Sequence, residues 1–242
     1  MDIKNTVTIM DITFLNVTKK DFLYDELFPR LNRQQKSFVV TANPEIVMKA
    51  REDHGYKQAV QSADYIVPDG AGILLAAKYK KEPLQERIPG YELMLDLLKH
   101  ANDEGLRCYF LGAKDNVINK TIVEVEQQYP NITIAGSHHG FFDIHDSSIA
   151  ENIKAQNPDI VFVALGLPRQ EEWIAKHSNK FPKGLFMGVG GSFDVIAGEV
   201  QRAPEKWIKL NLEWLYRLLK QPLRFKRILK VFEFMLRIIV KK

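Results

Sequence analysis

The chain predicts an α/β protein: a mostly parallel sheet with helices on both faces, followed by a helical appendage. Three observations carry this. From Ser37 to about Phe193, short apolar runs alternate with amphipathic stretches, the spacing of βαβ units. Small and polar residues follow the apolar runs, as they do where strands open into loops that meet a ligand. The last forty-one residues, Arg202 to Lys242, change character: twelve Lys or Arg stand against three Glu, a net of +9. The whole chain carries +4, so the preceding part sums to −5.

Taken in order, Ser37-Phe38-Val39-Val40 reads as a strand. Asn43-Pro44-Glu45 then supplies an N-cap, a proline at the first helical position and an acid in the first turn. Tyr65-Ile66-Val67 is a second strand, with a helix from about Ala71 to Lys80. Tyr91 to Asn102 places apolar side chains at 91, 94, 95 and 98, a helical spacing, and Gly105 ends it. Further strands are expected at Cys108–Leu111, Ile132–Ile134, Ile160–Leu165 and Leu185–Met187. Helices are expected at Val117–Gln128, Ser147–Gln156 and Arg169–Ser178, with a short one near Phe193. The arrangement is Rossmann-like, with a catalytic-size α/β unit over residues 1–198. Residues 199–242 form a basic amphipathic appendage, broken at Gln221-Pro222 because proline disfavours a continuous helix.

With 242 residues and 45% apolar side chains, the chain can bury a full single core with an appendage to spare. The one cysteine, Cys108, excludes an internal disulfide and fits a reducing compartment. Its apolar setting predicts a buried side chain. Met1-Asp2-Ile3-Lys4-Asn5 lacks the features of a signal peptide, and no run approaches the roughly 20 apolar residues of a spanning helix. The expectation is a cytoplasmic protein, peripheral on the inner face of the cell membrane, held there by its basic, aromatic tail.

The chemistry should sit where the strands end. After the first strand comes Thr41-Ala42-Asn43, and after the second Pro68-Asp69-Gly70-Ala71-Gly72. Gly112 and Gly136 follow the third and fourth. Gly166-Leu167-Pro168-Arg169-Gln170-Glu171 follows the fifth, and Gly188-Val189-Gly190-Gly191-Ser192-Phe193-Asp194 the sixth. Glycines admit a ligand to the backbone, and helix N-termini donate N–H groups to an anion. The dinucleotide fingerprint is poorly matched: in Gly188-x-Gly190-x-x-Phe193 the third glycine is missing, and the first βα turn has none. No Gly-Lys-Ser/Thr and no Asp-x-Asp occurs. His138 and His139, adjacent on an extended chain, should face opposite ways and so not share one metal ion.

Asp69 stands between a strand and a helix, where a carboxylate serves either as a turn or N-cap residue or as an acid–base group. Arg87, in Glu86-Arg87-Ile88-Pro89-Gly90, offers a counter-charge or a solvated loop cation. Gln170 and Glu171 fit either a binding role or the first turn of a helix.

These blocks, in this order, resemble the WecG/TagA/CpsF family, glycosyltransferase family 26. The residues concerned are Thr41-Ala42-Asn43-Pro44, Pro68–Gly72, Arg87–Gly90, Leu165–Glu171 and Gly188–Asp194. Arg202-Ala203-Pro204 and Leu212–Arg217 extend the resemblance into the tail. It implies an inverting hexosyl transfer: N-acetylmannosamine passes from a UDP-sugar donor to N-acetylglucosamine on a polyprenyl diphosphate, forming a β-1,4 link. It also implies no metal and no cofactor, and a tail that docks on the membrane. Asp69 matches the family's proposed catalytic base. Thr41, Arg87 and Gln170 match positions implicated in substrate binding, and Arg217, Arg224 and Arg227 match its tail arginines.

The residues suit that chemistry. A carboxylate accepts the acceptor hydroxyl's proton as oxygen reaches the anomeric carbon. The departing diphosphate must meet helix N-termini, backbone N–H groups and cations. Gly166, Gly190 and Gly191 would cradle the nucleotide, with Asn43, Gln170 and Glu171 near it, and Asp194 would accept from the uracil N–H. Exposed apolar tail surface implies homo-oligomers, or a helix packed on the body. Relatives with the same blocks use other UDP-sugars, such as the uronic acid. A nicotinamide-dependent oxidoreductase is the alternative from another class, favoured only by the βαβ pattern. A nucleic-acid partner is not expected, since no motif for one occurs.

Overall fold

The computed structural model describes residues 5–209, 213–220 and 225–240. An antiparallel hairpin comes first, β1 (Thr6–Ile9) and β2 (Ile12–Leu15). Helix α1 (Lys19–Asp21) continues through a π-helical turn, Phe22–Leu27, into α2 (Phe28–Asn32). Thr18 caps it, its Oγ1 accepting the Asp21 N–H at 3.1 Å. Neither hairpin nor helix is foreshadowed by the alternation that begins at Ser37.

The rest follows the expected alternation: β3 (Ser37–Ala42), α3 (Pro44–Glu52), α4 (His54–Gln61), β4 (Tyr65–Pro68) and α5 (Ala71–Tyr79). Then come α6 (Gly90–Glu104), β5 (Arg107–Gly112), α7 (Asp115–Gln128), β6 (Thr133–His138) and α8 (Ser147–Ala155). The body closes with β7 (Ile160–Ala164), α9 (Arg169–His177), β8 (Leu185–Gly188) and α10 (Ser192–Ile196). The tail contributes α11 (Glu205–Lys209), α12 (Glu213–Lys220) and α13 (Phe225–Val240). The Gln221-Pro222 break lies outside the described residues.

Local chemistry sets several of these boundaries. Asn43 Oδ1 accepts the Ile46 N–H at 3.0 Å, with Pro44 at the first helical position, so α3 starts where expected. Gly105 ends α6 in the left-handed conformation. Gly136 departs from expectation. It lies inside β6, not beyond it, at a register shift opposite Cys108 and Tyr109. A Cβ there would stand 2.7 Å from the Tyr109 ring, so only glycine lets the strand continue past that ring.

Six strands form one sheet in the order β4-β3-β8-β7-β5-β6, every neighbouring pair parallel. Successive side chains point to opposite faces, and both faces are buried. Phe38, Val40 and Phe186 pack with Tyr56, Trp173 and Ile174 on the side of α3, α4, α5, α8 and α9. Val39, Cys108, Phe110 and Met187 pack on the other with the π turn, α6, α7 and Phe193 of α10. Cys108 is sealed within that second core, and burial pushes its thiol up.

After β3 the chain passes to α3 on one face of the sheet, and after β8 it passes to α10 on the other. The crevice between the carboxyl ends of β3 and β8 is therefore the switch point of the sheet, where open α/β folds bind ligands. The tail returns to this body: α13 packs on α3 and α5, with Phe234 and Ile238 buried in the first core. Burying one such side chain contributes about 2–3 kcal/mol. Among the described residues no helix is long and apolar enough to cross a membrane.

Candidate active site

Backbone bonds tie three chain segments together at the carboxyl edge. The Asp69 N–H donates to Ala42 O at 2.9 Å, joining the ends of β4 and β3. The Ile88 N–H donates to Pro68 O at 2.7 Å and brings the 85–89 segment alongside, so Arg87 flanks the mouth, half-buried. The Gly90 N–H, at the start of α6, faces Asp69 Oδ2 at 3.4 Å. The carboxylate thus sits at the positive end of a fifteen-residue helix. Thr41 completes the group: its Oγ1 lies 2.7 Å from where a Cβ on residue 90 would stand, which makes Gly90 a contact only glycine satisfies. Gly70, at φ +89°, turns the chain between Asp69 and α5 and rests against Pro44 and Asn43.

The second half of the edge belongs to β7 and β8. Gly190 adopts φ +52°, and its N–H donates to Gln170 Oε1 at 3.1 Å. Gln170 Nε2 donates to Glu171 Oε1 at 2.6 Å, and the Tyr56 hydroxyl donates to Glu171 Oε2 at 3.0 Å. Gln170 and Glu171 are 7% and 1% exposed, so these links are dry. Burial pushes the Glu171 carboxyl up to about 7, and burial together with Glu171 raises the Tyr56 hydroxyl. At Gly166 and Gly190 an added Cβ would meet open space, so the backbone there is accessible. The Asp194 carboxylate lies 3.6 Å from the Cβ position of Gly191 and closes the loop on one side.

The expected residues therefore fall along one edge formed by β4, β3, β8 and β7. Thr41, Asp69 and Arg87 gather at one end, and Gly166, Gln170, Gly190, Gly191 and Asp194 at the other. Neighbouring strands are about 4.8 Å apart, so the groups adjoin where β3 lies beside β8, and their outer members, after β4 and β7, stand about 14 Å apart. Asn43 lies between them with its side-chain oxygen engaged in capping α3. Glu171 reaches the loop through Gln170. Arg224 lies outside the described residues, as do the side chains of Arg217 and Arg227.

One neighbour lay outside every motif, and two lay inside motifs that did not signal their contacts. Tyr56, on α4, is brought in only by the packing of α4 on α9. Gly90 was visible as part of a block but not as the donor to Asp69. Arg202 binds Glu92 Oε1 at 2.6 Å and lies 4.7 Å above the Tyr91 ring. This fastens the start of the tail to the first turn of α6.

The histidine pair corrects one expectation. His138 ends β6 and His139 turns away from the strand, so their rings lie 4.5 Å apart and do not face opposite ways. Each Nδ1 is committed to the backbone, at His139 O and at the Phe141 N–H. Among the described residues no cluster of three or more His, Cys, Asp or Glu could hold a metal ion. A hollow of about 350 Å³ lies at the far end of β4, lined by Thr13, Leu15, Asp64 and Tyr65, remote from the mouth.

Fold and edge together define an α/β protein with a parallel sheet buried on both faces, whose carboxyl edge carries both the Asp69 carboxylate and a glycine loop. The chain belongs to the Glycosyl transferase WecG/TagA/CpsF family, whose model matches residues 7–242. It is similar to the N-acetylglucosaminyldiphosphoundecaprenol N-acetyl-beta-D-mannosaminyltransferase of Bacillus spizizenii (strain ATCC 23059 / NRRL B-14472 / W23). The two are 44% identical over 201 residues, covering 83% of this chain and 78% of that one. It is also similar to the protein of the same name from Staphylococcus aureus (strain MW2), 40% identical over 233 residues, 96% of this chain and 91% of that one.

Proposed function

We propose that this protein transfers N-acetylmannosamine from its UDP donor to N-acetylglucosamine on undecaprenyl diphosphate, the linkage-unit step of wall teichoic acid synthesis. The observation that carries the reading is the Asp69 carboxylate, held at the N-terminus of α6 beside Thr41 and on the same edge as an accessible glycine loop. The names of the two relatives supply the donor sugar and the acceptor.

The donor lies along the edge, its nucleotide on the Gly188–Gly191 loop with Asp194 near the uracil, and its anomeric carbon toward Asp69. The acceptor hydroxyl oxygen attacks that carbon from the face opposite UDP. The new C–O bond forms as the bond to the diphosphate breaks, UDP leaves with the electron pair, and Asp69 takes the hydroxyl proton. One in-line displacement inverts the anomeric centre. Arg87 and the backbone N–H groups of the mouth stabilise the growing phosphate charge.

Residues 199–242 act as the membrane-docking appendage. On α13, Phe234 and Ile238 face the body. Phe225, Leu229, Phe232, Leu236 and Ile239 are exposed, at the spacing of a single helix face. That face, with Trp214 and Leu219 of α12 and the surrounding basic residues, suits an anionic bilayer. Each Lys or Arg near such a surface contributes about 1 kcal/mol. The protein works on the cytoplasmic side of the membrane, where its lipid acceptor presents the sugar. In the absence of membrane the same face serves self-association.

A screen of UDP-sugars against a soluble diphosphate-linked acceptor analogue, with and without EDTA, tests the reaction. Turnover should require UDP-N-acetylmannosamine and survive EDTA. Turnover only with UDP-N-acetylmannosaminuronic acid would reassign the donor.

A further inference from the structure

The buried chain from Tyr56 to Gly190 has a direction. A Gln amide can point either way, and Gln170 is held one way only. Its Nε2 faces Glu171 Oε1 at 2.6 Å and its Oε1 faces the Gly190 N–H at 3.1 Å. Turned over, it would set two N–H donors against each other at Gly190 and two oxygens against each other at Glu171. Glu171 is itself pinned by the Tyr56 hydroxyl at 3.0 Å. The Gln170 side chain lies flat on the strand end, 2.6 Å from where a Cβ on Gly188 would stand, so its place depends on glycine there too.

We infer that Glu171 is a positioning residue: braced by Tyr56, it orients the Gln170 amide, which holds Gly190 in the left-handed turn that shapes the glycine loop. It touches no substrate and acts through Gln170. The inference rests on the proposed reading of that loop as the nucleotide cradle. A buried carboxylate at this place is costly, and the two donors aimed at it compensate for part of that cost.

The ionised form binds Gln170 more strongly than the protonated form, because a charged acceptor makes the stronger bond. Burial sets this group's titration at about 7. The groups that act on it are Tyr56 from α4 and Glu172 from its own helix. Of the other ionisable side chains on the packed elements, His54 is exposed, Lys57 binds Asp11, and Lys180 binds Ser147. The strands β3, β7 and β8 carry none.

The test uses the full chain labelled with 15N-glycine, comparing wild type with Glu171→Gln, Glu171→Leu and Tyr56→Phe. Two readouts are taken between pH 6 and 8.5: exchange of the Gly190 amide, and the Kd for UDP. Glu171→Leu should speed Gly190 exchange and weaken UDP binding, each by about tenfold or more. Glu171→Gln, which can still accept from Gln170, should stay within about fivefold of wild type and lose the inflection near pH 7. Should Glu171→Leu fail to fold, Tyr56→Phe carries the test, with faster Gly190 exchange and a displaced inflection expected. Wild-type Gly190 exchange in folded Glu171→Leu or Tyr56→Phe would overturn the inference. Wild-type protein that binds no UDP would instead remove the nucleotide reading, and Gly190 exchange would still decide the relay.

Discussion

The Asp69 carboxylate faces the Gly90 amide at 3.4 Å, so the end of β4 and the start of α6 meet at one polar point. A carboxylate placed there is oriented by a backbone group that no side-chain substitution removes. Replacing it with the isosteric amide should therefore preserve the local fold. Asp69→Asn is expected to lower kcat by about 10²–10⁴-fold while the Kd for UDP changes by less than about threefold. Steady-state kinetics with a lipid-acceptor analogue, beside titration calorimetry with UDP, check both halves.

Gly90 and Thr41 should be energetically coupled. A methyl group on residue 90 would press to 2.7 Å from Thr41 Oγ1, whereas Thr41 Cβ, at 3.5 Å, is an ordinary contact. Gly90→Ala alone should destabilise by about 1–3 kcal/mol. In a Thr41→Ala background most of that loss should vanish. Urea denaturation of the four proteins of the double-mutant cycle measures the coupling. Simple additivity would show that the two residues do not press on one another.

Glu171 makes a prediction about stability opposite in sign to the usual carboxylate. Its folded value of about 7 stands above the ordinary 4.5, so the folded state holds the proton more tightly than the unfolded one. The protonated form's contribution is fully present below about pH 4.5 and is lost as pH rises to about 7, worth about 3 kcal/mol from this group. Glu171→Gln carries no such charge. The difference in stability between wild type and variant should therefore shift in the variant's favour across that window and level off above it. Chemical denaturation at several pH values reads this directly.

The two faces of α13 should respond differently to substitution. Phe234 is 0% exposed in the body's core, and Phe234→Ala is expected to cost about 3–5 kcal/mol. Phe232 is 62% exposed, and Phe232→Ser should leave thermal stability within about 0.5 kcal/mol of wild type. The second variant should instead weaken binding to vesicles containing anionic lipid. Co-sedimentation with such vesicles separates lipid docking from core packing. Unchanged vesicle binding together with a smaller sedimentation coefficient would assign the face to self-association.

Much of the sheet was legible because a parallel strand buried on both faces must be a short apolar run. The runs at Ser37, Tyr65, Cys108, Ile160 and Leu185 could be little else. Helix starts were legible where a side chain caps them, as Asn43 does for α3. The hairpin at Thr6–Leu15 was not. Its strands do alternate Thr with buried apolar residues, but each is only four residues long, and its turn places Met10 and Asp11 at positive φ without a glycine to mark it. At Phe22–Leu27 the apolar spacing of Leu23, Leu27 and Leu31 marks a helix, but nothing in it marks the π-helical turn, which depends on packing against the sheet.

The chain's own residues determined that strands and helices alternate and that each strand ends in small, polar or acidic groups, because burial and turn geometry act locally on residue type. They also determined that the tail is basic and aromatic. Which strand ends become neighbours was decided only by the tertiary structure, because strand order depends on how whole layers pack and not on any one run. That ordering set β3 beside β8, turned the Gly90 N–H toward Asp69, and brought Tyr56 from a distant helix to brace Glu171. Docking of Phe234 and Ile238 likewise chose which face of α13 is core and which is left exposed, a choice its two apolar stripes leave open until a partner surface exists.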